Sequence, residues 1–363
     1  MPHELDGQQT LVLGFGASQA GPGALGAWAE LAAAFPRSVR TGCSSAGEIH
    51  QQQVHDDSLS VVVARFEHTQ LKRACTPIEG PADSLAAGQR LGRRLATEDL
   101  RAVFVLSEGL QVNGSSLVAG LREVLPPEVC ITGGLAGDGC RFGHTWVVND
   151  DESHAAHVVA IGLYGDRLRI GHGCDGGWDD FGPERRITRA QGNVLHELDG
   201  QPALDLYKHY LGNRAAGLPG TALLFPLAVR RSPGDPQPLV RTILAIDEAQ
   251  RSMTFAGDIP QGGVARLMRS NTDRLIDSAG AAAQQALRAV GDRRALLLTV
   301  SCVGRRLVLG ERTEEEVEAV LDLAAPGSAQ VGFYSYGEIS PTLDGGLSDL
   351  HNQTMTITAL AED

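Results

Sequence analysis

Two stretches of this sequence place an acid after a glycine turn at the same spacing. Gly42-Cys43-Ser44-Ser45-Ala46-Gly47-Glu48-Ile49 and Gly332-Phe333-Tyr334-Ser335-Tyr336-Gly337-Glu338-Ile339 both run glycine, four residues, then Gly-Glu-Ile. Gly133-Gly134-Leu135-Ala136-Gly137-Asp138 is a shorter version with aspartate as the acid. A carboxylate beside such a turn can bind an ammonium group or a hydroxyl, or it can tie down its own loop by accepting backbone hydrogen bonds. Two ionised acids in one dry pocket repel, so a shared site calls for a cationic ligand group or a raised pKa. The glycines, Gly47 and Gly137 among them, permit close backbone approach.

Other side chains near these turns offer further chemistry. Cys43 precedes Ser44 and Ser45; as a nucleophile it needs a base and a lowered pKa, and a buried small thiol is the commoner case. Arg305 follows a buried strand, where its planar fork suits a ligand carboxylate or a salt bridge to one of the acids. Tyr334 and Tyr336 alternate along one strand face, as pocket wall or as core. Asn352 and Thr354 likewise share a face. The expected ligand-binding set is therefore Cys43, Ser44, Ser45, Gly47, Glu48, Gly137, Asp138, Arg305, Tyr334, Tyr336, Glu338 and Asn352, with no catalytic residue and no metal ligand assigned. An enzyme dependent on Cys43 is an alternative.

The elements that must position these residues repeat. Leu11 to Gly42, Val103 to Gly133 and Leu297 to Gly332 each run strand, helix, strand, glycine turn, the size of a βαβ unit. If the units are parallel, all three turns lie at carboxyl ends of strands, where open α/β sheets collect ligands. Between the units, Leu59–Phe66 and Leu71–Ile78 read as antiparallel neighbours. His157–Tyr164 and Leu168–Ile170 read as a hairpin around Gly165-Asp166. Ile187–Ala190 and Val194–Leu198 suggest another. Leu223-Leu224-Phe225 reads as a strand, and Val240–Ile246, Ser252–Ala256 and Val264–Met268 as a meander. Asn271 is expected to cap a helix, and Thr313 with Glu316 spells a capping box. Arg230–Pro238 is a proline-rich exposed loop, Asp344-Gly345-Gly346 a glycine break, and His351–Thr358 a final alternating strand. The fold class expected is α/β, two domains with mixed sheets built partly from repeated strand-helix-strand units. A break at Asp199-Gly200-Gln201-Pro202 divides the chain into 1–199 and 200–363.

Composition bounds the function. The chain has 363 residues and a formal net charge of −13. That charge disfavours phosphate-backbone and anionic-membrane binding, both of which need a basic footprint. No apolar run approaches a membrane span, and Met1–Thr10 lacks the basic-then-apolar pattern of a signal peptide. Six scattered cysteines without a C-x-x-C pair argue against an ordinary zinc site and a disulfide framework. A cytoplasmic protein with reduced thiols is expected.

These motifs, with Arg189-Ala190-Gln191-Gly192-Asn193-Val194-Leu195-His196-Glu197-Leu198-Asp199-Gly200, Cys302-Val303-Gly304-Arg305 and His351-Asn352-Gln353-Thr354, resemble FIST proteins over nearly the whole chain. The resemblance implies paired FIST N and FIST C domains and a non-enzymatic sensory role in signal transduction. Amino acids or related small polar metabolites are the suggested ligands, and a separate downstream signalling protein is the implied partner. Because some members are haem-binding nitric oxide sensors acting with histidine kinases, the alternative cofactor is haem. His144, His172 and His196 are then candidate ligands; C-x-x-C-H is absent, which excludes c-type attachment.

Overall fold

The computed structural model describes residues 1–19, 22–149, 152–235, 238–341 and 346–363. The glycine break at Asp344-Gly345 and part of the Arg230–Pro238 loop lie outside the described residues.

All three βαβ units form, each with its two strands parallel. The first is Thr10–Ala17, helix Pro22–Ala34 and Val39–Ser45; the second is Leu100–Ser107, helix Gly114–Arg122 and Cys130–Leu135. The third is Leu296–Cys302, helices Val303–Leu309 and Thr313–Leu321, and Ala329–Ser335. Each unit seeds one sheet, and the sheets exchange strands cyclically. After its turn, the first unit sends the hairpin Glu48–His50/Gln53–His55 onto the third unit's edge. The third sends Gly337–Pro341/Ser348–His351 onto the second. The second sends Val147–Asn149/Glu152–His154 onto the first. The pairs Phe333↔Glu48, Gly134↔Glu338 and Cys43↔Val147 fix the equivalence.

After each hairpin the chain turns back to its own sheet. The residue at the turn has positive φ in all three cases: Asp57 at 51°, Ala156 at 50° and Gln353 at 61°. The returning strands Leu59–Arg65, His157–Tyr164 and Met355–Glu362 pair antiparallel with the first strand of their own unit. Gln70–Pro77 then crosses to the second sheet and Leu168–Asp175 to the third. The three sheets are thus related by a pseudo-threefold pattern.

Side-chain alternation places the core. Leu11, Leu13 and Phe15 of the first unit face the shared centre, with Ala102, Phe104 and Leu106 of the second and Leu298 and Val300 of the third. Phe15 stacks on Phe333 there, ring centroids 4.8 Å apart. The alternate residues face outward onto helices: Val12 packs with Trp28, Leu31 and Phe35, Val103 and Val105 with Leu117 and Leu121, and Leu297 with the alanines of helix Thr272–Leu287. Period-two alternation in doubly covered strands accounts for this split.

A fourth, nine-stranded sheet lies between Asp179 and Arg269, inserted between a crossover strand and the helix that leads to the third unit. It carries its own core around Leu195, Tyr207, Phe225 and Leu267. Asp199-Gly200 falls inside it, between the paired strands Val194–Leu198 and Gln201–Pro202.

Several local expectations are corrected. Leu59–Arg65 and Gln70–Pro77 do not pair with each other, nor do His157–Tyr164 and Leu168–Asp175. In both cases a short turn carries the chain from one sheet to the next. Leu223-Leu224 ends a 3₁₀ turn, Gly220–Leu224. His351–Thr358 is interrupted at Gln353, so Asn352 and Thr354 do not lie on one strand. Thr313 is no cap: its hydroxyl donates to Gly310 O, and Glu316 is drawn inward by Arg305. Asn271 does cap its helix, accepting from Arg274 N.

Candidate functional site

The three glycine turns meet, and they bond one another in a ring. Ala46 N donates to Tyr334 O and Tyr334 N to Gly47 O, both at 2.9 Å. Gly137 N donates to Ser44 O and Tyr336 N to Leu135 O, both at 3.1 Å. Glycine at 137 is what permits this approach, since a Cβ there would lie 3.0 Å from Ala46 Cβ and 3.1 Å from Tyr334 O. Gly47 adopts φ 143°, which an L side chain rarely takes.

The acids of these turns are buried and engaged locally. Ser58 donates its N–H and hydroxyl to Glu48 Oε2 at 3.1 and 2.8 Å. Thr354 donates the same two groups to Glu338 Oε2 at 3.2 and 3.0 Å, and Ser335 gives its hydroxyl to Oε1 at 2.6 Å. Burial pushes both carboxyls up, Glu338 to about 7, against the lowering effect of those hydrogen bonds. Asp138 is a different case: Val147, not Asp138, holds the sheet position of Glu48 and Glu338. Asp138 closes a loop by accepting the N–H groups of Phe142, Gly143 and His144 at 2.8, 2.8 and 2.9 Å, and the Tyr336 hydroxyl. Burial raises its pKa, but these bonds outweigh it and hold the carboxyl below its usual range.

The remaining expected residues are placed as follows. Cys43 lies in the central apolar core, where burial pushes its thiol well up, the environment of an inert cysteine. Ser44 Oγ accepts from Trp146 N, and Ser45 Oγ from Gly47 N. Arg305, fully buried, pairs with Glu316 at 2.7 Å, not with a turn acid, and also donates to Leu275 O and Gly176 O. Tyr334 gives its hydroxyl to Glu316 at 2.7 Å, whereas Tyr336 turns to Asp138, so the two rings serve different partners. Asn352 is fully buried, and neither amide atom has a partner among the described residues. Arg306 covers the ring of turns: it donates to Ala46 O at 2.6 Å, pairs with Asp56 at 2.7 Å and lies 5.5 Å over the Tyr334 ring. A groove of about 430 Å³ opens beside it, lined by Ala46, Gly139, Cys140, Arg306, Leu307 and Glu314.

A second opening lies elsewhere, where the inserted sheet meets the second unit. A cleft of about 390 Å³ runs between Ser115, Ser116 and Arg122 of one helix and Arg231, Arg241 and Asp258 of the inserted part. An adjoining chamber of about 460 Å³ shares Ala119, Arg122 and Arg231 with it. Arg241 is only 2% exposed, yet it meets backbone carbonyls alone, Asp258 O at 3.2 Å and Leu350 O at 2.9 Å. Among the described residues no carboxylate reaches ion-pair distance of it, and burial lowers its pKa. Arg231 pairs with Asp349 at 3.1 Å. Among the described residues, Ser115 Oγ and Arg122 Nε are buried without a partner. Asn113 caps the helix through Ser116 N and gives its amide to Asp258 at 2.9 Å. The sequence reading missed this cleft. Its signal was an arginine embedded in the apolar run Leu239-Val240-Arg241-Thr242-Ile243.

His144 lies in the loop before Val147–Asn149, His172 on Leu168–Asp175 and His196 on Val194–Leu198, and none lines these openings. Among the described residues no group of three or more His, Cys, Asp and Glu side chains is arranged to hold a metal ion. None of the described helices is long and apolar enough to cross a membrane.

No curated protein matches the chain. Among solved structures, one that matches is a cyanuric acid hydrolase from A. caulinodans, at 13% identity and a TM-score of 0.19 over 81% of this chain and 99% of that one, too low to carry an argument. The FIST N domain matches residues 10–201 and the FIST C domain residues 203–341. FIST domains are generally small-ligand sensory domains of signal transduction. With both domains matched in order over most of its length, the chain belongs to the FIST family.

Proposed function

We propose that this protein senses a small zwitterionic metabolite, an amino acid or a close relative, and that the ligand occupies the cleft between the inserted sheet and the second unit. Arg241 carries this reading. A buried guanidinium with Asp349 and Asp258 nearby but no carboxylate among the described residues at ion-pair distance is costly, and an anionic ligand group offsets that cost through charge-assisted bonds. Asp258 from the inserted part and Asp349 from the second sheet both line the cleft and suit the ammonium end. An occupant would touch both the inserted sheet and the ring of sheets, so binding has a means of shifting one against the other. Recognition of the shifted form would fall to a separate signalling protein in the cytoplasm. The net charge of −13 favours neither nucleic acid nor an anionic membrane as that partner.

The test is thermal shift across a panel of amino acids, with the matched amines and carboxylic acids lacking one charged end. At a hundred times Kd a ligand that binds only the folded state adds about 2.7 kcal/mol, a clear rise in Tm. Arg241→Met and Arg122→Gln are expected to abolish the shift, and each single-charge analogue to weaken it. A flat response to the whole panel, or binding indifferent to both substitutions, removes the cleft from consideration.

A further inference from the structure

The pseudo-threefold pattern leaves one place empty. In the second sheet the outer edge of the return strand His157–Tyr164 is covered by Gln70–Pro77 along eight residue pairs, His157↔Pro77 to Tyr164↔Gln70. In the third sheet, Leu168–Asp175 covers Met355–Glu362 in the same way, from Leu168↔Glu362 to Asp175↔Met355. In the first sheet the equivalent return strand, Leu59–Arg65, is the last strand, and among the described residues none pairs with its outer edge. Burial follows the difference. Seven residues of His157–Tyr164 and seven of Met355–Glu362 are buried, whereas only Ser60 is buried in Leu59–Arg65.

The orientation of the backbone is fixed by two flanking bonds. Ser58 O accepts from Ala17 N, and Phe66 N donates to Gln9 O, so these even-numbered residues face the first strand. By alternation the N–H and C=O groups of Leu59, Val61, Val63 and Arg65 face outward. The strand, Leu-Ser-Val-Val-Val-Ala-Arg, has no proline and no charge before its last residue. It therefore lacks the devices that usually protect a free edge from pairing.

We propose that a second copy of this chain covers this edge, with Leu59–Arg65 of the two copies pairing antiparallel across a twofold axis at Val61. This register sets outward-facing residues opposite one another, as an antiparallel ladder requires. It also places Arg65 of each copy opposite Asp57 of the other, so unlike charges meet at both ends of the ladder. Leu59, Val61 and Val63, half-exposed beside Trp28 and Leu5 in one copy, would meet their counterparts on the same face. The two five-stranded sheets would join into one continuous sheet through an isologous contact, in which the patch is its own partner.

The experiment is light scattering after gel filtration at micromolar concentration, on the whole protein and three variants. The chain mass is 38.4 kDa, and twice that value is expected for the wild type. Val63→Pro removes an outward N–H at an edge position that accommodates proline and should give the monomer mass with an unchanged circular dichroism spectrum. Arg65→Asp should weaken the dimer, and Arg65→Asp with Asp57→Arg should restore it, a rescue that a merely structural role for either residue would not produce. A monomeric wild type, or a Val63→Pro variant that stays dimeric, overturns the proposal. So does a dimer that the charge exchange fails to rescue.

Discussion

Glu338 is fully buried, and among the described residues its partners are two hydroxyls and one amide, with no cation bonded to it. Its folded pKa of about 7 lies above the ordinary 4.5, with burial as the leading cause. Between the two values the folded chain holds a proton that the unfolded chain releases. Stability from this group is therefore complete below about pH 4.5 and is lost as pH rises toward 7. The full change is on the order of 3 kcal/mol. Glu338→Gln keeps the shape without the charge, so its unfolding free energy should vary less across that window than the wild type's, and exceed it near pH 7. Urea unfolding at closely spaced pH values measures this; parallel pH profiles for the two proteins would show that Glu338 titrates as an ordinary carboxyl. The pair Arg305–Glu316 is the opposite kind of buried charge, closed on itself at 2.7 Å with both side chains fully covered. It explains why Arg305 meets neither a ligand carboxylate nor a turn acid, the two partners its sequence position suggested.

At the scale of elements, the meeting of the turns rests on how little room there is between them. Gly137→Ala should cost about 1–3 kcal/mol, because the added Cβ meets Ala46 and the Tyr334 carbonyl. Gly26→Ala is the contrast: nothing lies within 4 Å of its added Cβ, and in mid-helix it should stabilise by about 0.5–1 kcal/mol. Equal effects of the two substitutions in urea would mean that the ring of turns is looser than its hydrogen bonds indicate. The βαβ units were legible in the sequence because strand, helix and strand are contiguous and their apolar runs declare themselves locally. The exchange of strands was not. A turn such as Gly165-Asp166 has the same chemistry whether the next strand returns beside the last or crosses to another sheet. The glycine spacing found two equivalent acids correctly and a third, Asp138, wrongly, since the long detour before Val147 moves the true equivalent out of register. The cleft was illegible for a related reason: Arg122 and Arg241 are 119 positions apart in the chain and meet only after the inserted sheet docks.

At the scale of the whole molecule, the cyclic exchange decides what can fold alone. The FIST N match ends at 201 and the FIST C match begins at 203, close to the division at 199 and 200 that the sequence suggests. Yet the second sheet takes Gly337–Pro341 and Ser348–His351 from beyond that point, and the third takes Glu48–His50, Gln53–His55 and Leu168–Asp175 from before it. The central core mixes Phe15, Phe104 and Leu106 with Val300, Val331 and Phe333. A chain cut at 199 would leave the inner faces of two sheets bare and one sheet without its outer hairpin. Exposed apolar surface on that scale forfeits the hydrophobic term that offsets chain entropy. We therefore expect segments 1–199 and 200–363, produced separately, to show no cooperative thermal transition. Co-expressed, they should assemble into one particle that melts in a single step, because every strand pairing survives a break in the loop between Leu198 and Gln201 except the one that bridges it. Segment 1–199 unfolding cooperatively as a soluble monomer would contradict the shared core and restore two independent domains.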